Sequence, residues 1–137
     1  MDHIAALIKR AINLIPNSYA PYSNFYVTCV LEMENGEIFD GVNVENASYG
    51  LTICAERTAI ATMATNIVGN TKPKLKNIIV LSKAQVKTPP CGACRQVLSE
   101  FTSKDTMLYL PYGEDFSKVF SIKANELLPH GFTLDDK

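Results

Sequence analysis

Two cysteine-bearing segments constrain this chain more than anything else in it. The first is Cys54-Ala55-Glu56. The second is Pro90-Cys91-Gly92-Ala93-Cys94, a helix and a strand further along. Three thiolates are enough to hold Zn²⁺ in a tetrahedral site and leave the fourth position for water. A fold that uses them so must bring position 54 beside positions 91 and 94. Glu56, two residues after the first thiolate, is then the candidate proton carrier for that water.

The 137 residues suit one domain, residues 1–137, around one hydrophobic core. The net charge is -1 and the pI about 6.1, which argues against an electrostatic nucleic-acid binder, since those carry a basic excess. No apolar run approaches the roughly 18 residues of a membrane span. The start, Met1-Asp2-His3, lacks the basic and apolar regions of a signal peptide. Four cysteines without a secretory signal favour reduced thiols or a metal over disulfides, and the expected home is the cytosol.

Apolar residues Ile4, Leu7, Ile8, Ala11, Ile12 and Ile15 fall at helical spacing, which predicts a helix over 4–15 with Asp2 as N-cap and Pro16 as stop. Residues 25–33 and 37–44 are β-rich, and Asn35-Gly36 between them is a two-residue hairpin signal. Residues 45–53 read as a loop. A helix is expected over 54–67, ended by Gly69 and Asn70. Residues 77–82 read as a strand buried on both faces. A second helix is expected over 92–101, strands over 106–110 and 116–122, and a short helix over 124–128. A hairpin followed by helical crossovers implies a mixed sheet with helices on its faces. Both cysteine motifs fall at helix starts, where partial positive charge favours thiolate over thiol.

Other readings of the cysteines exist. Cys91 and Cys94 have the spacing of a redox pair, which leaves Cys54-Ala55-Glu56 unexplained. A closed structural zinc site needs a fourth protein ligand, for which Cys29, His3 and His130 are candidates; Cys29 lies inside a strand and reads as a small core residue. Three thiolates leave excess negative charge. Arg57 and Arg95 each follow a motif directly, and either could donate hydrogen bonds to the sulfurs.

The chemistry follows from the ligand set. Zinc so held acidifies water toward neutral pH. In the zinc nucleobase deaminases, whose signature these segments resemble, attack on a ring carbon bearing an exocyclic amine needs a proton on the ring nitrogen, then one on the departing amine. One carboxylate near the metal can deliver both, and Glu56 has the position. Backbone N–H groups at the same helix start, including Ala55, could bind a ring carbonyl oxygen.

The cysteine pattern matches the zinc nucleobase-deaminase signature, with cysteine in place of the usual first histidine. Longer segments narrow the match: Tyr19-Ala20-Pro21-Tyr22-Ser23-Asn24-Phe25, Gly41 through Leu51, Cys54 through Ala59, Pro90 through Leu98, and Glu126-Leu127-Leu128-Pro129. Over nearly its whole length the chain resembles the small, homotetrameric cytidine deaminases of pyrimidine salvage.

The resemblance implies a three-layer α/β/α sandwich with a mixed five-stranded sheet. It implies one zinc per chain and conversion of cytidine or deoxycytidine to uridine or deoxyuridine. By the same resemblance Asn43 and Glu45 bind the ribose hydroxyls and Phe25 lines the pyrimidine pocket. Phe132 is the tail aromatic that reaches a neighbouring subunit's site. The expected partners are a small nucleoside and further copies of the chain, with no nucleic acid and no membrane. A deaminase of another amine-bearing ring, such as blasticidin S, shares much of the pattern; Asn43 to Asn46 and Tyr49 to Leu51 favour a nucleoside. The chain departs from the family at Tyr26-Val27-Thr28-Cys29, where proline, glycine and then alanine are common. It departs again at Pro89, where serine or threonine is usual.

Overall fold

Apolar periodicity sorts the chain into three layers. The computed structural model describes residues 2–67, 69 and 72–134. Helix α1 (Asp2–Asn13) buries Ile4, Leu7 and Ala11, one face at spacings of three and four. It starts two residues earlier than the pattern predicts, so Asp2 sits in the first turn rather than before it. It also ends earlier. The chain tightens into a 3₁₀ turn over Ile15–Asn17, because Pro16 cannot continue an α-helix.

Strand β1 (Val27–Met33) pairs antiparallel with β2 (Ile38–Val42). The connection is longer than the expected two residues. The Met33 N–H donates to the Glu37 carbonyl and the Gly36 N–H to the Met33 carbonyl, so Glu34, Asn35 and Gly36 form a three-residue loop. Gly36 has φ 95° while Asn35 is not left-handed, which is a type I turn closed by a left-handed glycine. The Asn-Gly pair marks the hairpin correctly but serves a different turn.

After a loop with a 3₁₀ turn at Tyr49–Leu51 comes α2 (Ala55–Asn66), capped by Cys54 and closed at Ile67. Asn70, expected to help end it, lies outside the described residues. Then follow β3 (Leu75–Ser82), α3 (Gly92–Ser99), β4 (Met107–Tyr112), β5 (Lys118–Lys123) and a 3₁₀ turn over Ala124–Leu127. Strand β5 begins later than expected because Asp115 and Phe116 are left-handed, at φ 54° and 57°. The sheet order is β2-β1-β3-β4-β5, with β3/β4 the parallel pair and the other pairs antiparallel.

Alternation along the strands sets the layers. Cys29, Leu31, Ile78, Val80, Leu108 and Leu110 pack with α2 and α3. Val30, Ile79 and Leu81 pack under α1 on the other face. Strand β3 is thus buried on both faces, as its unbroken apolar run predicts. The family departures go into this packing. Thr28 Oγ1 donates to the Ala11 carbonyl at 2.9 Å and ties β1 to α1, while Cys29 is a fully buried core residue. No helix among the described residues is long and apolar enough to cross a membrane.

Topology decides where chemistry can sit. Strands β2 and β3 both run antiparallel to β1, so they point the same way. The chain leaves each at the same end of the sheet and crosses onto the same face, into α2 and α3. Both helix starts therefore lie at the carboxyl ends of these strands, where α/β sheets bind ligands.

Candidate active site at two helix starts

Cys54 is the N-cap of α2 and Cys91 the N-cap of α3; Cys94 lies in the first turn of α3. Their sulfur atoms all lie within 4.8 Å of one another. The Cys54 and Cys91 sulfurs are 3.8 Å apart. Two thiolates at about 2.3 Å from a tetrahedral zinc stand about 3.8 Å apart, so the spacing fits the ion. Burial opposes ionisation of Cys91, but N–H groups of Cys94 and Ala93 and the neighbouring thiols outweigh it and bring its pKa below the ordinary thiol value. Cys94 is pushed up by burial and by the negative groups around it, Glu56 foremost. A cluster with one thiol lowered and another raised by its own neighbours is one that a cation relieves.

The other candidate ligands lie elsewhere. Cys29 is in the core on β1. His3 Nε2 pairs with Glu32 Oε2 at 2.6 Å, and His130 is in the exposed terminal segment. Among the described residues the group that gathers is Cys54, Cys91 and Cys94.

Arg57 turns its guanidinium onto this cluster. Its Nη2 donates to the Cys54 sulfur at 3.6 Å. Contact with Cys54 and then Cys94 raises its pKa, and its Nε is buried without a partner. Arg57→Ala is expected to weaken metal retention by about 10- to 100-fold, the usual worth of such outer partners, and to shift the pH–rate profile. A chelator competition and a pH profile check this. If neither moves, Arg57 is a surface arginine only. Arg95 differs from its sequence expectation: its Nε donates to the Pro90 carbonyl at 2.8 Å and its Nη1 to the Leu127 carbonyl at 3.1 Å.

Glu56 is 4% exposed. Burial raises its pKa above the ordinary carboxyl value, against the lowering effects of its own backbone N–H and of Arg57. It opens into a cleft of about 280 Å³ that also takes in Cys54, Cys91, Ala55, Phe25, Asn43 and Glu45. Helix N-termini leave their first N–H groups without intrahelical partners, so Ala55 has a donor to offer there.

The opposite wall is tightly organised. The Asn43 amide accepts from Val27 N at 3.0 Å and donates to the Phe25 carbonyl at 2.8 Å. That leaves it one N–H and one lone pair for a ligand. Glu45 Oε1 accepts from the N–H groups of Tyr22 and Ser23, and Oε2 accepts the Ser23 hydroxyl. The Ser23 hydrogen bond is the largest cause of its lowered pKa. The Ser23 hydroxyl in turn accepts from Phe25 N at 3.0 Å.

Sequence reasoning passes over Ser23. Its bond two residues on to Phe25 is the kind of local turn that serine commonly makes and could have been read. Its tie to Glu45 joins distant segments and could not. Thr52, Thr88 and Pro89 also line the cleft. Phe132 does not. It is 68% exposed, and its carbonyl accepts from Gln96 Nε2 at 3.0 Å.

Convergent thiols with an open side, a buried carboxyl beside them and a cleft over both define a hydrolytic zinc centre. A family model described as "Cytidine and deoxycytidylate deaminase zinc-binding region" matches residues 1–110. The cytidine deaminase of Halalkalibacterium halodurans is 42% identical over 130 residues, covering 95% of this chain and 94% of that protein. That of Mycoplasma genitalium is 40% identical over 127 residues, 92% of each. The crystal structure of cytidine deaminase from Burkholderia pseudomallei superposes with a TM-score of 0.80 at 39% identity, covering 93% of this chain and 98% of that one. The chain belongs to the cytidine deaminase family.

Proposed function

We propose that this chain hydrolyses cytidine and deoxycytidine to uridine and deoxyuridine, releasing ammonia and using one zinc ion per chain. The observation that carries the reading is the opening of Glu56, Cys54 and Cys91 into one cleft. Cys54, Cys91 and Cys94 would hold the zinc ion, which when bound would supply Lewis-acid activation of a water molecule. Glu56 takes a proton from that water and gives it to the ring nitrogen; it then takes the second proton from the hydroxyl added to the ring carbon and passes it to the departing amine. Water is consumed and ammonia leaves, so atoms balance. The Ala55 N–H holds the ring carbonyl oxygen, and the Pro89 carbonyl receives the amine. Phe25 packs on the pyrimidine. Asn43 and Glu45 take the sugar hydroxyls with the hydrogen-bonding capacity left to them. Arg57 offsets the charge of the sulfurs.

A free nucleoside suits the cleft better than a nucleotide. Among the described residues, neither this cleft nor the one adjoining it at Tyr22, Glu45 and Tyr49 is lined by a lysine or arginine, and Glu45 belongs to both. A phosphate there would face a carboxylate with no cation to receive it. The test is ammonia release from cytidine, deoxycytidine, deoxycytidine monophosphate, blasticidin S and single-stranded DNA. Release from the two nucleosides is expected. Turnover of DNA or blasticidin S alone would displace the proposal, and preference for the monophosphate would displace its nucleoside part.

Residues 1–137 act as a single domain in this reading, in the cytoplasm, within pyrimidine salvage. The active form is a homotetramer with sites completed across interfaces. Support comes from aromatic and apolar side chains left exposed: Tyr22 49%, Tyr49 75%, Leu51 66% and Phe132 68%. Phe132→Ala is expected to raise KM and keep zinc. Mixed with Glu56→Gln chains under subunit exchange, it should regain activity, since each site draws Glu56 from one chain and Phe132 from another. An active monomer on sizing, or no recovery despite proven exchange, would refute shared sites.

A further inference from the structure

The three sulfurs are not equally supported. Cys94 is buried within α3, and Cys54 carries the Arg57 hydrogen bond. Cys91 is exposed, and Arg57 is directed at Cys54 and Cys94 instead. Cys91 also ends the loop of residues 83–91; its sulfur meets the N–H groups of Ala93 and Cys94 and the Cys54 sulfur. The backbone just before it is held as well. The Pro90 carbonyl accepts from Arg95 Nε at 2.8 Å, while the Arg95 N–H takes the Cys91 carbonyl at 2.9 Å. Both carbonyls of that dipeptide therefore bond to one residue.

The proline ring already restricts Pro90 φ. With its carbonyl pinned as well, the Pro90–Cys91 peptide plane is fixed, and with it the direction of the Cys91 side chain. The other arm of the guanidinium ends on Leu127, in the 3₁₀ turn that follows β5. That turn is itself tied to the sheet through Ala124 N and the Thr106 carbonyl. Arg95 thus fastens the metal loop to the sheet through a planar fork that a single ammonium does not reproduce.

We propose that Arg95 is a positioning residue for the metal centre: its guanidinium locks the Pro90–Cys91 peptide against the Leu127 turn and so aims the Cys91 sulfur at the point where Cys54 and Cys94 meet. The proposal rests on the zinc reading above. Arg95 acts through backbone carbonyls, so its geometry matters and its charge alone does not suffice.

The test compares full-length wild type, Arg95→Met, Arg95→Lys and Gln96→Ala. Two quantities are read: the rate of zinc transfer to a chromophoric chelator, and the visible spectrum of the cobalt-substituted protein, which reports ligand geometry. Arg95→Met is expected to release zinc at least about 10-fold faster than wild type and to shift the cobalt bands. Arg95→Lys should change in the same direction, since it keeps charge and loses the fork. Gln96→Ala, which loosens only the tail at Phe132, should match wild type. Wild-type release and spectrum in Arg95→Met overturn the proposal. So does full rescue by lysine, because charge would then be enough, and so does an equal effect in Gln96→Ala, because any loosening of α3 would then do. Should Arg95→Met not fold, Arg95→Lys decides by the same two measurements. A wild-type protein that takes up neither zinc nor cobalt would instead defeat the metal reading itself.

Discussion

Glu56→Gln is expected to keep its zinc and lose about 10²- to 10⁴-fold in turnover, the usual worth of general acid–base catalysis. The amide has nearly the shape of the carboxyl and fits the same buried place at the start of α2, so the sulfurs beside it have no reason to move. What it cannot do is accept and return a proton. The native carboxyl is suited to both acts. Burial raises its pKa, while its own backbone N–H and Arg57 hold the rise in check. The measurement is kcat with zinc content determined on the same sample. Near-normal turnover with metal retained would sink the proton-shuttle role, and loss of metal would show that the carboxyl supports the site structurally.

The fold was legible where patterns are local. Periodicity of 3.6 placed α1, and an unbroken apolar run identified β3 as buried on both faces. Strand ends were less legible. The left-handed conformations of Asp115 and Phe116 are set by contacts from elsewhere: the Asp115 N–H donates to the Gln85 side chain, thirty residues away in sequence. The hairpin illustrates the same limit, because Asn-Gly serves more than one turn and the register of β1 against β2 selects among them.

The candidate site divides in the same manner. Three thiols and a carboxyl at two helix starts could be read from spacing, since each motif is contiguous. Of the two arginines next to them, Arg57 could be favoured for the sulfurs, but the partners of Arg95 could not be read, because both follow a cysteine motif at once. Arg57 turns to the sulfurs and Arg95 to backbone carbonyls only because α2 and α3 present different neighbours. Asn43 and Ser23 hold the wall of the cleft opposite Glu56 through bonds to distant segments, which no single-segment pattern records.

Gly41→Ala is expected to disturb both stability and catalysis, though no atom of Gly41 belongs to the site. Gly41 lies on β2, and a Cβ built there would stand 2.3 Å from Ala59 N and 2.5 Å from the Ala55 carbonyl oxygen. These are backbone atoms of α2, so no rotamer change can relieve the contact. Ala55 and Ala59 are themselves fully buried, which leaves no slack between helix and strand. The helix must therefore move away from the sheet. Overpacking of this kind costs about 1–3 kcal/mol in a well-packed core. The movement falls on the end of α2 that carries Cys54, Glu56 and Arg57, while Cys91 and Cys94 stay with α3. A displacement of about 1 Å between groups that must act together can cost about 10²-fold in rate. The variant should therefore melt at lower temperature and, where still folded, turn over about 10²-fold more slowly and release zinc faster. Thermal unfolding, followed by kinetics below the transition, checks both halves. Wild-type melting would show that α2 is not seated on β2 this closely. Lowered melting with wild-type turnover would show that the helix start holds its place by its own contacts, independent of the strand beneath it.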